Sequence, residues 1–280
     1  MRPRYRWLPW GILVFLWLLP VGLAAAEQMQ WRSLAPGLEL GRFVRPAEAD
    51  NSEMHIVVVR IDPIRWELRL GLASETDGVD GLSAREWARR LGFAAVINAG
   101  MFATDYFTHI GYLQYREHVN NPRLSRYQSL AAFCPKTPEA APFRIFDMDA
   151  PGFSLDAVRR RYNCLVQNLR LIKRPGKNRW EPQPKTWIEA ALGEDEQGRA
   201  LMIFSRTPQS MHALNEALLA LPLQLVCAQH LEGGPEAQLF VAVGDFSLEI
   251  IGGYENSSGA GALLGAAWPL PNVIGIVPRP

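Results

Sequence analysis

The stretch LQLVCAQHLEGGPEAQL, residues 223–239, is the one on which the reading of this chain turns. An apolar run of strand length, residues 223–228, gives way to Gln229, His230, Leu231 and Glu232, then to Gly233, Gly234 and Pro235. A second apolar run begins at Leu239. Two glycines beside a carboxylate serve either a tight hairpin or a clearing for a ligand. On an extended chain His230 and Glu232 share one face, with Leu231 opposite. Imidazole and carboxylate at that spacing suit acid–base chemistry or metal ligation. Gly233 and Gly234 leave no side chain in the way, and Pro235 stiffens the exit. The local pattern leaves the hairpin and the site both open.

Working outward, short apolar runs recur along the chain. Residues 55–61 and 66–70 read as strands around Asp62-Pro63, the second half-buried because Trp66, Leu68 and Leu70 alternate with Glu67 and Arg69. Ser83-Ala84-Arg85-Glu86 is a capping box opening a helix through Leu91, and residues 94–100 form a buried strand ending at a glycine. Further strands are expected at 128–133, 143–146, 164–172, 188–192, 200–204, 223–230, 238–243, 246–251 and 272–277, with short helices at 154–161 and 210–221. The pattern predicts an α+β fold: a single domain over 27–280 with a large mixed, mostly antiparallel sheet and a few packed helices.

Composition narrows the function. The 280 residues are 48% hydrophobic and 20% charged with net charge +1, which gives no electrostatic case for a nucleic-acid partner. Arg159-Arg160-Arg161, the densest basic run, reads as a solvated helix face. Arg2, Arg4 and Arg6 precede an apolar run that ends in Ala24-Ala25-Ala26, the pattern of a signal peptide, residues 1–26; an uncleaved anchor is the alternative. The expected location is periplasmic or secreted, with no stable membrane insertion after cleavage. Of Cys134, Cys164 and Cys227, the last sits in an apolar run and is expected to be a buried thiol. That leaves Cys134–Cys164 as the pairing to expect in an oxidising compartment, although spacing alone does not establish it.

Three more constellations carry chemistry. Asn98 ends an apolar strand and is followed by Gly100, Phe102, Asp105, Tyr106, His109 and Gly111 in one loop, either a ligand site or a self-bonded turn. Ser205-Arg206-Thr207-Pro208 before a helix reads as an anion cradle or as a plain connection. Gln167 and Asn168 place two amides in an apolar run, suited to sugar hydroxyls or to internal pairing.

In order, these segments resemble the phosphodiester glycosidase family over roughly residues 50–278. The matching segments are Asn98-Ala99-Gly100-Met101-Phe102, His109–Leu113, Leu165–Asn168, the acidic turn within 191–201, Glu232–Glu236 and Val273–Ile276. Glu232 stands where the family's aspartate is usual, Glu236 where serine is common, and Trp187-Ile188-Glu189 where an arginine is often found. The resemblance implies an exported hydrolase acting on a carbohydrate or sugar-phosphate substrate, a sugar-1-phosphodiester or related glycosidic bond in a cell-envelope glycan. Glu232 would be base or nucleophile, supported by His230 or Asp105. Asn98, Gly100, Phe102, Gln167, Gly233 and Gly234 would bind the sugar, and Arg206 the phosphate. No cofactor is fixed; a divalent cation such as calcium on Glu232 and Asp105 is an alternative. A non-catalytic glycan-binding protein on the same scaffold is the competing reading.

Overall fold

The computed structural model describes residues 30–46, 53–77, 79–253 and 267–280; the expected signal peptide lies outside them. The N-terminal half contains β1 (Gln30–Ala35), β2 (Leu38–Pro46), β3 (Glu53–Ile61), β4 (Trp66–Leu72), α1 (Ala84–Leu91) and β5 (Ala95–Asn98). Then come β6 (Leu113–Tyr115), β7 (His118–Asn121), β8 (Ser129–Pro135), β9 (Phe143–Asp147), α2 (Leu155–Arg161) and β10 (Tyr162–Asn168). They are followed by β11 (Arg170–Lys173), β12 (Lys177–Asn178), β13 (Trp187–Asp195), β14 (Ala200–Gln209) and α3 (Met211–Ala220). Last are β15 (Leu225–Gly233), β16 (Gln238–Val243), β17 (Phe246–Ile251) and β18 (Asn272–Pro278).

The α+β class holds, but the single large mixed sheet does not. The strands form three sheets, in the orders β1-β2-β3-β14-β13-β15-β11-β12, β7-β6-β10-β8-β9 and β17-β16-β5-β18-β4. All the pairings between these strands are antiparallel. We refer to them as the long, middle and third sheets. Period-2 alternation explains the division. Each sheet sends one set of side chains to a shared centre, where Val57, Val59, Met202 and Phe204 meet Phe133, Val166, Ile97 and Ile274. The alternate set faces outward and needs its own cover. On the long sheet, Val58 and Ile203 pack with Met211, Leu214 and Leu218 of α3. On the third sheet, Val96, Phe240 and Val273 pack with Trp87 of α1. On the middle sheet, Leu130, Ala132 and Leu165 pack with Val158 of α2. Three sheets with three outer helices are a consequence of strands that are apolar on both faces.

Local signals set the helix ends. Ser83 and Glu86 close the expected capping box, and Gly92 ends α1 at φ 68°. Ser154 and Ser210 cap α2 and α3. The β13–β14 hairpin forms as expected, its turn held by Asp195, which accepts from the Arg199 side chain at 2.6 Å and from the Gln197 and Arg199 amides at 2.9 Å. Cys134 and Cys164 form a disulfide between β8 and β10, and Cys227 is a buried free thiol whose pKa burial pushes up. Among the described residues no helix is long and apolar enough to cross a membrane.

Candidate functional site

The runs flanking Glu232-Gly233-Gly234 do not form a hairpin with each other. β15 lies in the long sheet and β16 in the third, so the glycines carry the chain from one sheet to another. Gly234 turns at φ 63°, a left-handed conformation that favours glycine, and opens a single 3-10 turn through Glu236.

Two further crossovers meet this one. Residues 99–112 link β5 of the third sheet to β6 of the middle sheet, and Leu169 links β10 of the middle sheet to β11 of the long sheet. A triangle of hydrogen bonds ties the three together. Asn168 Nδ2 donates to the Ala99 carbonyl at 2.8 Å. Asn98 Nδ2 donates to the Glu236 carbonyl, and Asn98 Oδ1 accepts from the Gln238 amide, both at 2.8 Å. The His230 amide donates to the Leu169 carbonyl at 2.8 Å. Backbone groups leaving a sheet lose their ladder partners, and here polar side chains replace them. Gly100, at φ 149°, is required at the centre of this arrangement. A Cβ there would collide with Asn168 Oδ1 and His109 Nε2.

The chemistry collects on β15 and its neighbour. His230 Nδ1 lies 2.5 Å from Glu189 Oε1, and Trp187 Nε1 donates to Glu189 Oε2 at 3.1 Å. Both members of the pair are buried. Burial disfavours the imidazolium, but the charge and hydrogen bond of Glu189 outweigh it, so His230 titrates above its ordinary value. Burial holds the Glu189 carboxyl above its ordinary value despite His230. Glu232 is partly buried and accepts from the Gly233 amide at 3.1 Å. Desolvation, only partly offset by His230 and that amide, raises its pKa from 4.5 to about 7. A carboxyl that titrates near neutrality beside an imidazole whose own pKa is raised can exchange a proton in either direction.

Strict alternation does not survive at this point. Ala190 pairs with Glu232 and Ala191 with His230, so Leu231 is an extra residue in a β-bulge. Bulges of this kind re-aim side chains and are frequent beside active sites. Leu231 itself packs into the central core.

The other expected site residues divide by location. Asn98, Gly100, Gly233 and Gly234 lie on the crossovers with Glu232. Phe102 is half-buried in the 99–112 loop, its ring 5.5 Å from that of Tyr106. Asp105 is exposed in the same loop, where it accepts from the Phe107 and Thr108 amides and from the Thr108 hydroxyl, which lowers its pKa. Gln167 is fully buried, its Oε1 accepting from the Tyr112 and Ser125 amides and its Nε2 donating to the Ser125 and Tyr127 carbonyls. The 205–208 segment is not a strand-to-helix connection: β14 continues to Gln209. Arg206 is exposed within a register break of that strand, next to Ser205, which pairs with Glu189.

In the sequence Glu189 stands out only as part of a departure from a family pattern. A usable signal was present, a carboxylate inside the run Ile188-Glu189-Ala190-Ala191-Leu192, because a glutamate in a two-sided buried strand must find a partner. His109 is a second buried histidine. Its Nδ1 faces the Gly111 backbone at 3.0 Å, and burial lowers its pKa to about 4, so it is a neutral imidazole near pH 7. Among the described residues, no group of three or more His, Cys, Asp or Glu side chains is placed to hold a metal ion.

Comparison with known proteins bears on the fold and the family. The zebrafish N-acetylglucosamine-1-phosphodiester alpha-N-acetylglucosaminidase catalytic domain, auto-inhibited by pro-peptide, superposes with a TM-score of 0.64 at 11% identity, over 89% of this chain and 86% of that one. A hypothetical protein from Synechocystis superposes with a TM-score of 0.60 at 14% identity, over 91% of this chain and 65% of that one. Identities this low show a shared fold alone. No curated protein matches the chain. The sequence model for phosphodiester glycosidase matches residues 92–277, well over half of the chain, and the protein therefore belongs to the phosphodiester glycosidase family.

Proposed function

We propose that this protein is an exported hydrolase that cleaves a sugar-1-phosphodiester, or a related glycosidic bond, in a cell-envelope glycan. The observation that carries the reading is the buried His230–Glu189 pair next to Glu232, whose pKa is about 7, at the junction of three crossovers. A phosphate leaving group departs with little need for protonation, unlike the sugar alcohols released by ordinary glycosidases with a paired acid and base. The demand therefore falls on a base or nucleophile and on anion binding. Ionised Glu232 takes the proton of an attacking water or attacks the anomeric carbon itself. His230, kept protonated by Glu189, supplies positive charge beside it. Phe102, Gly233 and Gly234 border the sugar and Arg206 on the rim meets the phosphate, while Asn98 and Gly100, buried with the Asn98 amide committed to the backbone, act by holding the crossovers. Gln167 and Asp105 contribute through the loops they hold.

The signal-peptide pattern at residues 1–26 and the Cys134–Cys164 disulfide support export. The test is turnover of a chromogenic sugar-1-phosphodiester by the wild type and by Glu232→Gln. The wild type should turn over, with a rising limb near pH 7 as Glu232 ionises and a fall at higher pH as His230 loses its proton. A wild type that binds the phosphodiester without turning it over would replace the hydrolase by a glycan-binding protein.

A further inference from the structure

The arginine run 159–161 is more than a solvated helix face. Arg159 reaches Asp156 at 3.8 Å and lies over the Tyr112 ring, but Arg161 lines a cavity of about 370 Å³ between α2 and β9. Its lining includes the rings of Phe146, Phe153 and Tyr162, Phe146 lying 6.4 Å from Phe153 and 6.2 Å from the buried Tyr162, centroid to centroid. It also includes three arginines, Arg144, Arg161 and Arg174.

Arg144 and Arg174 are held in place from behind. Glu194, buried on β13, accepts from Arg144 Nη1 at 2.8 Å and from Arg174 Nη2 at 2.6 Å, and the Ile145 amide donates to it at 2.7 Å. Each guanidinium has five donors, so both retain donors beyond those given to Glu194. Asp147 also lines the cavity, but its oxygens accept from Arg170 Nη1 at 3.2 Å and the Arg174 amide at 3.1 Å. Arg161 forms no ion pair within 4.0 Å among the described residues, and Glu139 acts on its charge only at longer range. Against the three guanidinium groups stand the carboxylates of Glu194 and Asp147, the latter shared with Arg170, so an excess of positive charge remains.

We propose that this cavity binds a small amphipathic anion, an apolar body of aryl or acyl type bearing one phosphate or carboxylate. The body lies against Phe146, Phe153 and Tyr162, and Arg161 and Arg174 take the head. The volume is within the range of small-molecule sites. It is a separate place from the candidate catalytic centre: Glu194 and Glu189 are five residues apart on one strand, about 17 Å.

Isothermal titration of the full protein with phenyl phosphate tests this, with inorganic phosphate as the headgroup control. The wild type and Arg206→Gln should bind phenyl phosphate saturably and alike. Inorganic phosphate should bind about fivefold more weakly, since it lacks the ring. Arg161→Gln, an exposed change that leaves the fold intact, should weaken phenyl phosphate about tenfold, the size of one lost charge-assisted hydrogen bond. Absence of saturable binding overturns the proposal, as does equal affinity in Arg161→Gln. So do equal binding of inorganic phosphate and loss of binding in Arg206→Gln, which would put the anion at the catalytic centre.

Discussion

Glu189 and Glu194 lie on the same strand, one near each end, and expose 1% and 0% of their surface. Identical in type and burial, they differ in what faces them. Glu194 accepts from two guanidinium groups and a backbone amide, none of which changes charge near neutral pH. Glu189 accepts from one indole and one imidazole, and the imidazole gains or loses a proton in that range. One end of β13 is therefore built to hold charge still and the other to let it move. Burial makes a carboxylate consequential; the partner decides whether the consequence is structural or chemical.

The largest expected effect comes from Glu232→Gln at the mobile end. Turnover of a sugar-1-phosphodiester should fall by about 10²- to 10⁴-fold, the usual scale for removing a general acid or base. Circular dichroism should be unchanged. Retained turnover would remove Glu232 from the chemistry.

The same substitution should stabilise the protein in a pH-dependent way. The folded carboxyl keeps its proton up to about pH 7, whereas the unfolded one loses it near 4.5. Its contribution to stability is thus full below 4.5 and is lost as pH rises through 7. Glu232→Gln removes that penalty, so denaturant unfolding at pH 8 should show a gain of up to roughly 3 kcal/mol, with little change at pH 4. Equal effects at both pH values would mean that Glu232 is not desolvated.

Glu194→Gln should act in the opposite sense at the fixed end. It leaves Arg144 and Arg174 facing each other without the shared anion. The loss should be about 2 kcal/mol, less than for a fully buried pair because both arginines are partly exposed. Turnover per folded molecule should not change. A variant as stable as the wild type would show that the two arginines are solvated rather than held by Glu194.

The smallest effect is expected from Glu189→Gln. Without the carboxylate, burial dominates His230 and its pKa falls, so the alkaline limb of the activity profile should move to lower pH. The rate at the optimum should drop only several-fold. An unmoved limb would show that His230 is not the group whose deprotonation ends activity.

Much of the fold was legible because its signals are local. The capping box at Ser83, the alternation of Trp66, Leu68 and Leu70, and the hairpin around Asp195 each need only neighbouring residues, and all formed. β1 and β2 are not legible in the sequence, since Gln30–Ala35 and Leu38–Pro46 mix charges with apolar residues and take their order from pairing, β2 with β3 and β1 with β2. The count of sheets was not legible either: two strands that follow each other look alike whether they pair or separate.

Within the site, the sequence by itself determined the residue types that leave a sheet, namely Asn98 with Gly100, Asn168, and Glu232 with Gly233 and Gly234. Amides replace lost ladder partners, and glycine turns where other residues are strained, so those choices are written locally. Only the tertiary structure decided that the three exits meet, and that β15 and β16 separate rather than fold back on each other. It also decided that Glu189 faces His230, because a buried charge takes its partner from whatever strand the register places beside it, here 41 positions away.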